Sequence, residues 1–383
     1  MTDIFDSGNW GDLCAMVTAC GIDLEALAQE TGAIKRRRAV RDAPTVLRLA
    51  LAYGSGLGSL DVVAAWAEQG GIAKLSKVAL MKRLINAADL LFAIAARLMV
   101  QRAHLDIPSL GARLASRPLR LVDASCISKP GSVGTDWRLH ALYDPVRQCF
   151  ADVELTDAKG GESFERFAVM PGEIRIGDRG YIGTRGLRHV VDGGGDFIIR
   201  AGWNAFRLQH ADGTPFDLIA ALRHANRVGS ERIDQTILIE DRHHPQPLKA
   251  RLVAARKPPQ AAERERRKLR QNAKRHGKTP DARTLEAADW TLIVTSLHDV
   301  AADDIVALYR LRWQIELAFK RLKSLGDLDL LPARGAPLAR AWIAAKLIIA
   351  TLIGQTTKGF PGLPPLCRRQ RRRVRPRFGA CLA

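Results

Sequence analysis

Leu308, Leu311, Ile315, Leu322 and Leu325 recur at three- and four-residue intervals, and the stretch Tyr309 to Lys323 among them holds no Gly or Pro. That spacing is the signature of an amphipathic helix with one apolar stripe. Such a helix must lay its stripe on a sheet or on other helices. At about 100° per residue, Tyr309, Arg312, Glu316 and Lys323 fall within an arc of roughly 60° beside the stripe. A carboxylate is thereby set among cations along a line of about 20 Å. Read locally, Arg312 and Glu316 are an i,i+4 ion pair on a solvated face. That accounts for two of the four residues and leaves the chemistry elsewhere.

A chain of 383 residues with 47% hydrophobic content can bury a full core and is expected to form two or three domains. Its net charge of +19 and pI near 10.2 point to a polyanionic partner. No run of 18 apolar residues exists, and the apolar segment from Ala341 to Gly354 carries Lys346. The acidic start, Met-Thr-Asp-Ile-Phe-Asp, lacks the features of a signal peptide. A soluble cytoplasmic protein is expected, with nucleic acid ahead of membrane as partner. The six cysteines form no CxxC pair, and free thiols are the simplest reading. His243-His244 lies beside prolines, where a loop outranks a metal site.

Residues 1–107 read as an all-α N-terminal region. Within it, Leu60 to Gln69, the turn Gly70-Gly71 and Ser76 to Ala87 make a helix-turn-helix-like pattern, with Lys77, Lys82 and Arg83 on the second helix. The alternative is a plain bundle with solvated lysines. After Pro108 the texture turns to strands. Pro118 to Asp123 reads as a strand ending in an acid, and Trp137–Tyr143 with Cys149–Leu155 as a hairpin. Glu162 to Met170 reads as a short helix, Glu173 to Gly177 as a strand with Asp178 directly after it, Thr184 to Asp192 as a helix, and Phe197 to Arg200 as a fifth strand. Three strands, then helix, strand, helix, strand is the order of a ribonuclease-H-like fold.

The expected class is therefore α/β. A ribonuclease-H-like core (115–201 and 288–356) is interrupted by a partly β insertion (202–287) and preceded by the helical region. The insertion carries a basic tract, Arg256 to Pro280, read as helical or flexible. Trp290 to Thr295 is a last strand, and Ala339 to Gly354 a further apolar helix. The Arg-rich tail 357–383 lacks apolar periodicity and is expected to be disordered. It reads equally as a nonspecific phosphate binder or as the readout of a frameshifted gene.

Phosphoryl transfer needs hard divalent cations held by carboxylates. Asp123 leaves the central strand, Asp178 follows the fourth, and Glu316 sits one helix away. Leu-Val-Asp123-Ala-Ser, Gly177-Asp178-Arg-Gly-Tyr181 and the Tyr309–Arg312–Glu316–Lys323 helix together resemble the insertion-sequence-four family of DDE transposases over most of residues 115–350. The gap of 138 residues (316 − 178) fits the insertion that family carries there. The resemblance implies that Asp123, Asp178 and Glu316 hold two Mg²⁺ or Mn²⁺ ions. It implies that Arg312 and Lys323 contact transposon-end phosphates, with Tyr309 in support. Water would cut the element's end, and the freed 3′ hydroxyl would attack target DNA. The partners implied are double-stranded DNA, both terminal inverted repeats and target, and a second protomer in a synapse.

Each residue also has a plainer role open to it. Asp178 can order a turn or cap a helix, and Tyr309 can be half-buried support. Asp136, Asp144 and Asp157 also lie near strand ends, where Asp144 suits a turn. Trp203 is core or a base-stacking aromatic. The rival functions are a domesticated or inactive DNA-binding protein and a related nuclease that cuts without joining.

Overall fold

The computed structural model describes residues 7–100, 114, 117–128, 132, 134–146, 149–326 and 335–356. The basic tail 357–383 lies outside the described residues, as does the side chain of Lys323. Among the described residues six helices come first: α1 (Ser7–Ala19), α2 (Leu24–Glu30), α3 (Ala43–Gly54), α4 (Leu60–Gln69), α5 (Lys77–Asn86) and α6 (Ala88–Val100). Their starts are written in the sequence. Asp23, Asp42, Ser59 and Ser76 each accept hydrogen bonds from backbone N–H groups of the first turn. Gly71, at φ +65°, makes the turn between α4 and α5. Of the cations on α5, Lys77 pairs with Asp61 of α4 at 2.7 Å and Arg83 donates to the Arg36 carbonyl at 3.0 Å.

Strands β1 (Leu119–Ile127), β2 (Trp137–Asp144), β3 (Cys149–Asp157), β4 (Ile174–Gly177) and β5 (Asp196–Arg200) follow, with α7 (Thr184–Asp192) between the last two. They lie in the order β3-β2-β1-β4-β5. β2 is antiparallel to both neighbours, whereas β1, β4 and β5 are parallel. This is the ribonuclease-H-like arrangement, and the chain is α/β as its sequence predicts. The sheet is buried on both faces. Leu119, Leu121, Ile176, Ile198 and Ile293 point into one core with the N-terminal helices, while Val122, Phe197, Ile199, Leu292 and Val294 point into the other.

The insertion contributes β6 (Leu208–Gln209), α8 (Leu218–Arg227), β7 (Arg232–Ile239), β8 (Leu248–Arg256), α9 (Pro259–Arg275) and α10 (Ala282–Ala287). Its strands build no separate sheet. β9 (Trp290–Thr295) pairs antiparallel with β5, and β8, β7 and β6 add outward from it, giving nine strands in one sheet. The basic tract is the helix α9.

The chain then runs through α11 (Ala302–Arg310), α12 (Trp313–Gly326) and α13 (Ala336–Thr356). α13 packs on α3, α5 and α6, so that the N-terminal helices and the C-terminal helix share one core. Gly54 of α3 makes that approach possible: a Cβ there would lie 2.7 Å from the Ala345 Cβ of α13. Lys346, buried in the same helix, sets its ammonium 5.0 Å from the Trp342 ring centre.

Three local expectations are corrected. β1 does not end at Asp123 but continues to Ile127, paired throughout with β2. The segment 162–170 holds only a 3₁₀ turn, Phe164–Arg166, because the buried Arg175 guanidinium takes the Phe164, Phe167 and Ala168 carbonyls that a helix would use. The 309–323 stretch is not one helix. At Leu311, Arg312, Gln314 and Ile315 the backbone N–H groups bond three residues back, tightening the chain into a turn between α11 and α12.

Candidate active site

β1 and β4 bring the first two acids level. Leu119 stands opposite Ile174 and Leu121 opposite Ile176. The same offset of 55 (174 − 119), carried two residues on, sets Asp123 beside Asp178. Both continue the alternation of Leu121 and Ile176, which face the helical layer. Asp123 is mostly buried, with 17% of its side chain exposed, and its Oδ1 accepts the Ala124 N–H at 2.8 Å. Asp178 accepts the Gly180 N–H at 2.7 Å and caps the 3₁₀ turn Arg179–Tyr181, so it does order a turn.

A third carboxylate, not foreseen in the sequence, joins them. Glu162 occupies the space a side chain at Gly180 would need, and the Asp178 carboxylate lies 3.2 Å from that same point. Burial, then the Asp178 charge, pushes the Glu162 carboxyl above its ordinary range. Burial likewise pushes Asp123 up to about 6, with Asp178 and Glu162 adding, against the Ala124 hydrogen bond and Arg312. Tyr181, buried beneath and stacked on Phe164 at 5.1 Å, is raised by burial and then by all three acids. No local pattern marks Glu162 in the sequence. It precedes a turn whose shape depends on the distant Arg175.

Glu316 reaches the group through a cation. Arg312 bonds Glu316 with one guanidinium nitrogen, and the other lies 3.8 Å from Asp123. The i,i+4 pair read from the sequence is therefore present, but half-buried and tied to the first acid. Burial draws the Arg312 pKa down, yet Tyr309, Glu316 and Asp123 together hold it above its ordinary value. Tyr309 is half-buried, and burial raises its hydroxyl despite Arg312. Lys323 lies on the backbone of α12.

Of the other strand-end acids, Asp144 and Asp157 serve turns and packing. Asp144 accepts the Val146 N–H and pairs with buried Arg120 at 2.8 Å. Asp157 accepts from the Lys159 and Gly160 N–H groups. Trp203 donates its indole N–H to Thr284 at 3.0 Å, and the Arg283 guanidinium covers its ring at 4.4 Å.

Among the described residues no three Asp, Glu, His or Cys side chains stand close enough to form a metal site. The chemistry of the donors nonetheless fits a hard divalent cation. Carboxylates on β1, after β4 and before the 3₁₀ turn repel one another, and among the described residues Arg312 is the counter-charge that ties Asp123 to Glu316. Charging Asp123 from its ordinary 3.8 to its folded value near 6 corresponds to about 3 kcal/mol against the folded state. Between those values the folded chain binds the extra proton. The metal-free fold should thus lose stability as pH rises through about 4 to 6, with the full penalty above about 6. Asp123→Asn should raise the stability of the metal-free chain at pH 7.5 by about 1–3 kcal/mol and flatten that pH dependence. Urea unfolding in chelator at pH 4.5 and 7.5 measures both, and a destabilised Asn variant at pH 7.5 contradicts it.

Residues 115–352 match the family model described as the transposase DDE domain. The chain is 41% identical over 368 residues to the InsL transposase of insertion sequence element IS186A from Escherichia coli (strain K12), covering 94% of this chain and 97% of that protein. It is equally similar, 41% over 369 residues with the same coverage, to the transposase for insertion sequence element IS421 from Escherichia coli.

Proposed function

The chain belongs to the DDE-domain transposases, and from that premise we propose that it cuts and joins the ends of an insertion sequence within the insertion-sequence-four group. The observation that carries the reading is the parallel register of β1 on β4, whose continuation sets Asp123 level with Asp178, together with Arg312 bonded to Glu316 and 3.8 Å from Asp123. Asp123, Asp178 and Glu316 are the proposed holders of two divalent ions, Mg²⁺ or Mn²⁺, which when bound supply Lewis-acid stabilisation of the attacking and leaving oxygens.

The chain's own residues divide the remaining work. Arg312 holds Glu316 against Asp123 before substrate arrives. A DNA phosphate offers it a bidentate partner of higher charge, and its transfer to that phosphate frees both carboxylates. Tyr309, hydrogen-bonded to Arg312, orients the guanidinium. Lys323 adds a second phosphate contact. The helices of residues 1–107 read the terminal inverted repeats, with α5 as the base-reading element, and two protomers pair the ends. The boundaries 115–201, 202–287 and 288–356 divide the catalytic core around its insertion.

DNA flanking the gene supplies the substrate for the test. Duplexes carrying those flanks, incubated with the full chain and Mg²⁺, should yield cuts ending in 3′ hydroxyls and then joined products in a target plasmid. Cutting without joining favours the nuclease reading, and specific binding without cutting favours the domesticated one.

A further inference from the structure

Beside Asp178, on the side toward the insertion, lies a group of cations outside the signature residues. Arg179 follows Asp178, Arg200 ends β5, and Lys257 follows β8 just before α9 begins. β5 and β8 both border β9, which brings the last two to one end of the sheet. Lys257 is anchored there: its N–H donates to the Asp289 carbonyl at 2.8 Å and its ammonium to the Ala288 carbonyl at 2.7 Å. Arg200 lies 3.7 Å from Glu265 of α9, while its Nε–H is buried with no acceptor among the described residues. Asp289, the other nearby carboxylate, is bonded to Arg266.

Three cations thus converge around Glu265, with Asp178 beside Arg179 and Asp289 beside Lys257, and the buried Arg200 Nε–H meets no oxygen among the described residues. Leaving such a donor unmet is costly. Burial, then Arg200, with Arg179 also contributing, lowers the Lys257 pKa to about 8, although Glu265 and Asp289 oppose this. A tetrahedral oxyanion suits this arrangement, because an arginine Nε–H and Nη–H edge binds two oxygens at once and a lysine adds a point charge.

We propose that Arg200 and Lys257, with Arg179 at the rim, form a phosphate-binding site that holds the DNA backbone next to the paired acids. This rests on the transposase reading above and assigns the insertion a direct part in positioning substrate.

The test uses the full chain and pyridoxal 5′-phosphate, whose aldehyde condenses with a neutral lysine amine, releasing water, before borohydride fixes the adduct. Pyridoxal, without the phosphate, reports amine reactivity alone. Peptide mapping should show Lys257 modified about tenfold faster by the phosphorylated reagent, the equivalent of about 1.4 kcal/mol. Arg200→Ala should erase that difference, and exposed Lys268 should show none. Inorganic phosphate and a 40-base-pair duplex should each protect Lys257. Equal rates for the two reagents overturn the site. Protection by phosphate but not by DNA overturns the DNA assignment. A chain that shows preference and protection yet never cuts DNA fails the transposase reading alone, and one that cuts without preference fails this inference alone.

Discussion

Asp178→Asn, Asp123→Asn and Glu316→Gln should each lower end cleavage by roughly 10³-fold or more, about 4 kcal/mol in the barrier, while the chain stays folded. Each substitution keeps size and removes one charged oxygen ligand. End binding should persist, because its energy comes from cations elsewhere on a chain of net charge +19. Single-turnover cleavage beside a gel-shift titration separates the two quantities. Glu316→Gln carries a second expectation. Its partner Arg312 loses a charge-assisted bond, so the guanidinium is freer to meet phosphate, and end affinity should hold or rise as cleavage disappears. A variant that cleaves near the unmodified rate removes its residue from the ligand set.

The largest structural effect is expected from Arg175→Leu. Arg175 and Glu173 are both fully buried and bonded to each other, and the same guanidinium satisfies the Phe164, Phe167 and Ala168 carbonyls. Leucine would leave Glu173 as an uncompensated buried charge and take the guanidinium donor from three carbonyls, of which Phe167 keeps the His189 ring nitrogen at 3.1 Å. Breaking a buried pair from one side costs about 3–5 kcal/mol. Replacing both residues with apolar ones should cost less than the single change, since no charge is then stranded. Urea unfolding of the two variants decides the matter, and a loss under about 1 kcal/mol for Arg175→Leu would show that the network contributes little. Because Arg175 shapes the segment after Glu162, the same variant should displace that carboxylate from Asp178.

Much of the fold could be read from local pattern. The helices read over Leu60 to Gln69 and Ser76 to Ala87 and the succession of core strands along the chain followed from spacing and alternation. What escaped depends on distant partners. The 162–170 segment carries helical spacing, yet its carbonyls go to an arginine 7 to 11 residues on. The insertion's strands were legible, but they join the core sheet through β9, whose pairing with β5 brings together residues such as Ile198 and Thr295, 97 positions apart (295 − 198). The turn at Leu311–Arg312 has neither Gly nor Pro to announce it, so the signature looked like one continuous face. Asp123 and Asp178 were visible as acids near strand ends, but their level placement follows from parallel pairing, which sequence alone leaves open. Glu162 and the Arg200–Lys257 group were invisible for the same reason.

The docking of α13 into the N-terminal helices has a consequence for how the protein is born. A ribosome completes residues 7–100 early, but Leu51, Leu91 and their neighbours share their core with Trp342 and Ile348, which are made more than two hundred residues later. Closing that core means closing a loop of more than two hundred residues, a slow step in any folding sequence. The nascent helices therefore wait with an open apolar seam while the sheet assembles between them and their missing partner. The region proposed to read DNA ends matures only once the helix bearing Glu316 has been made. A chain broken before residue 336 lacks that partner helix, so it is expected to bind the proposed ends more weakly than the full chain, which a gel-shift titration of the two would measure.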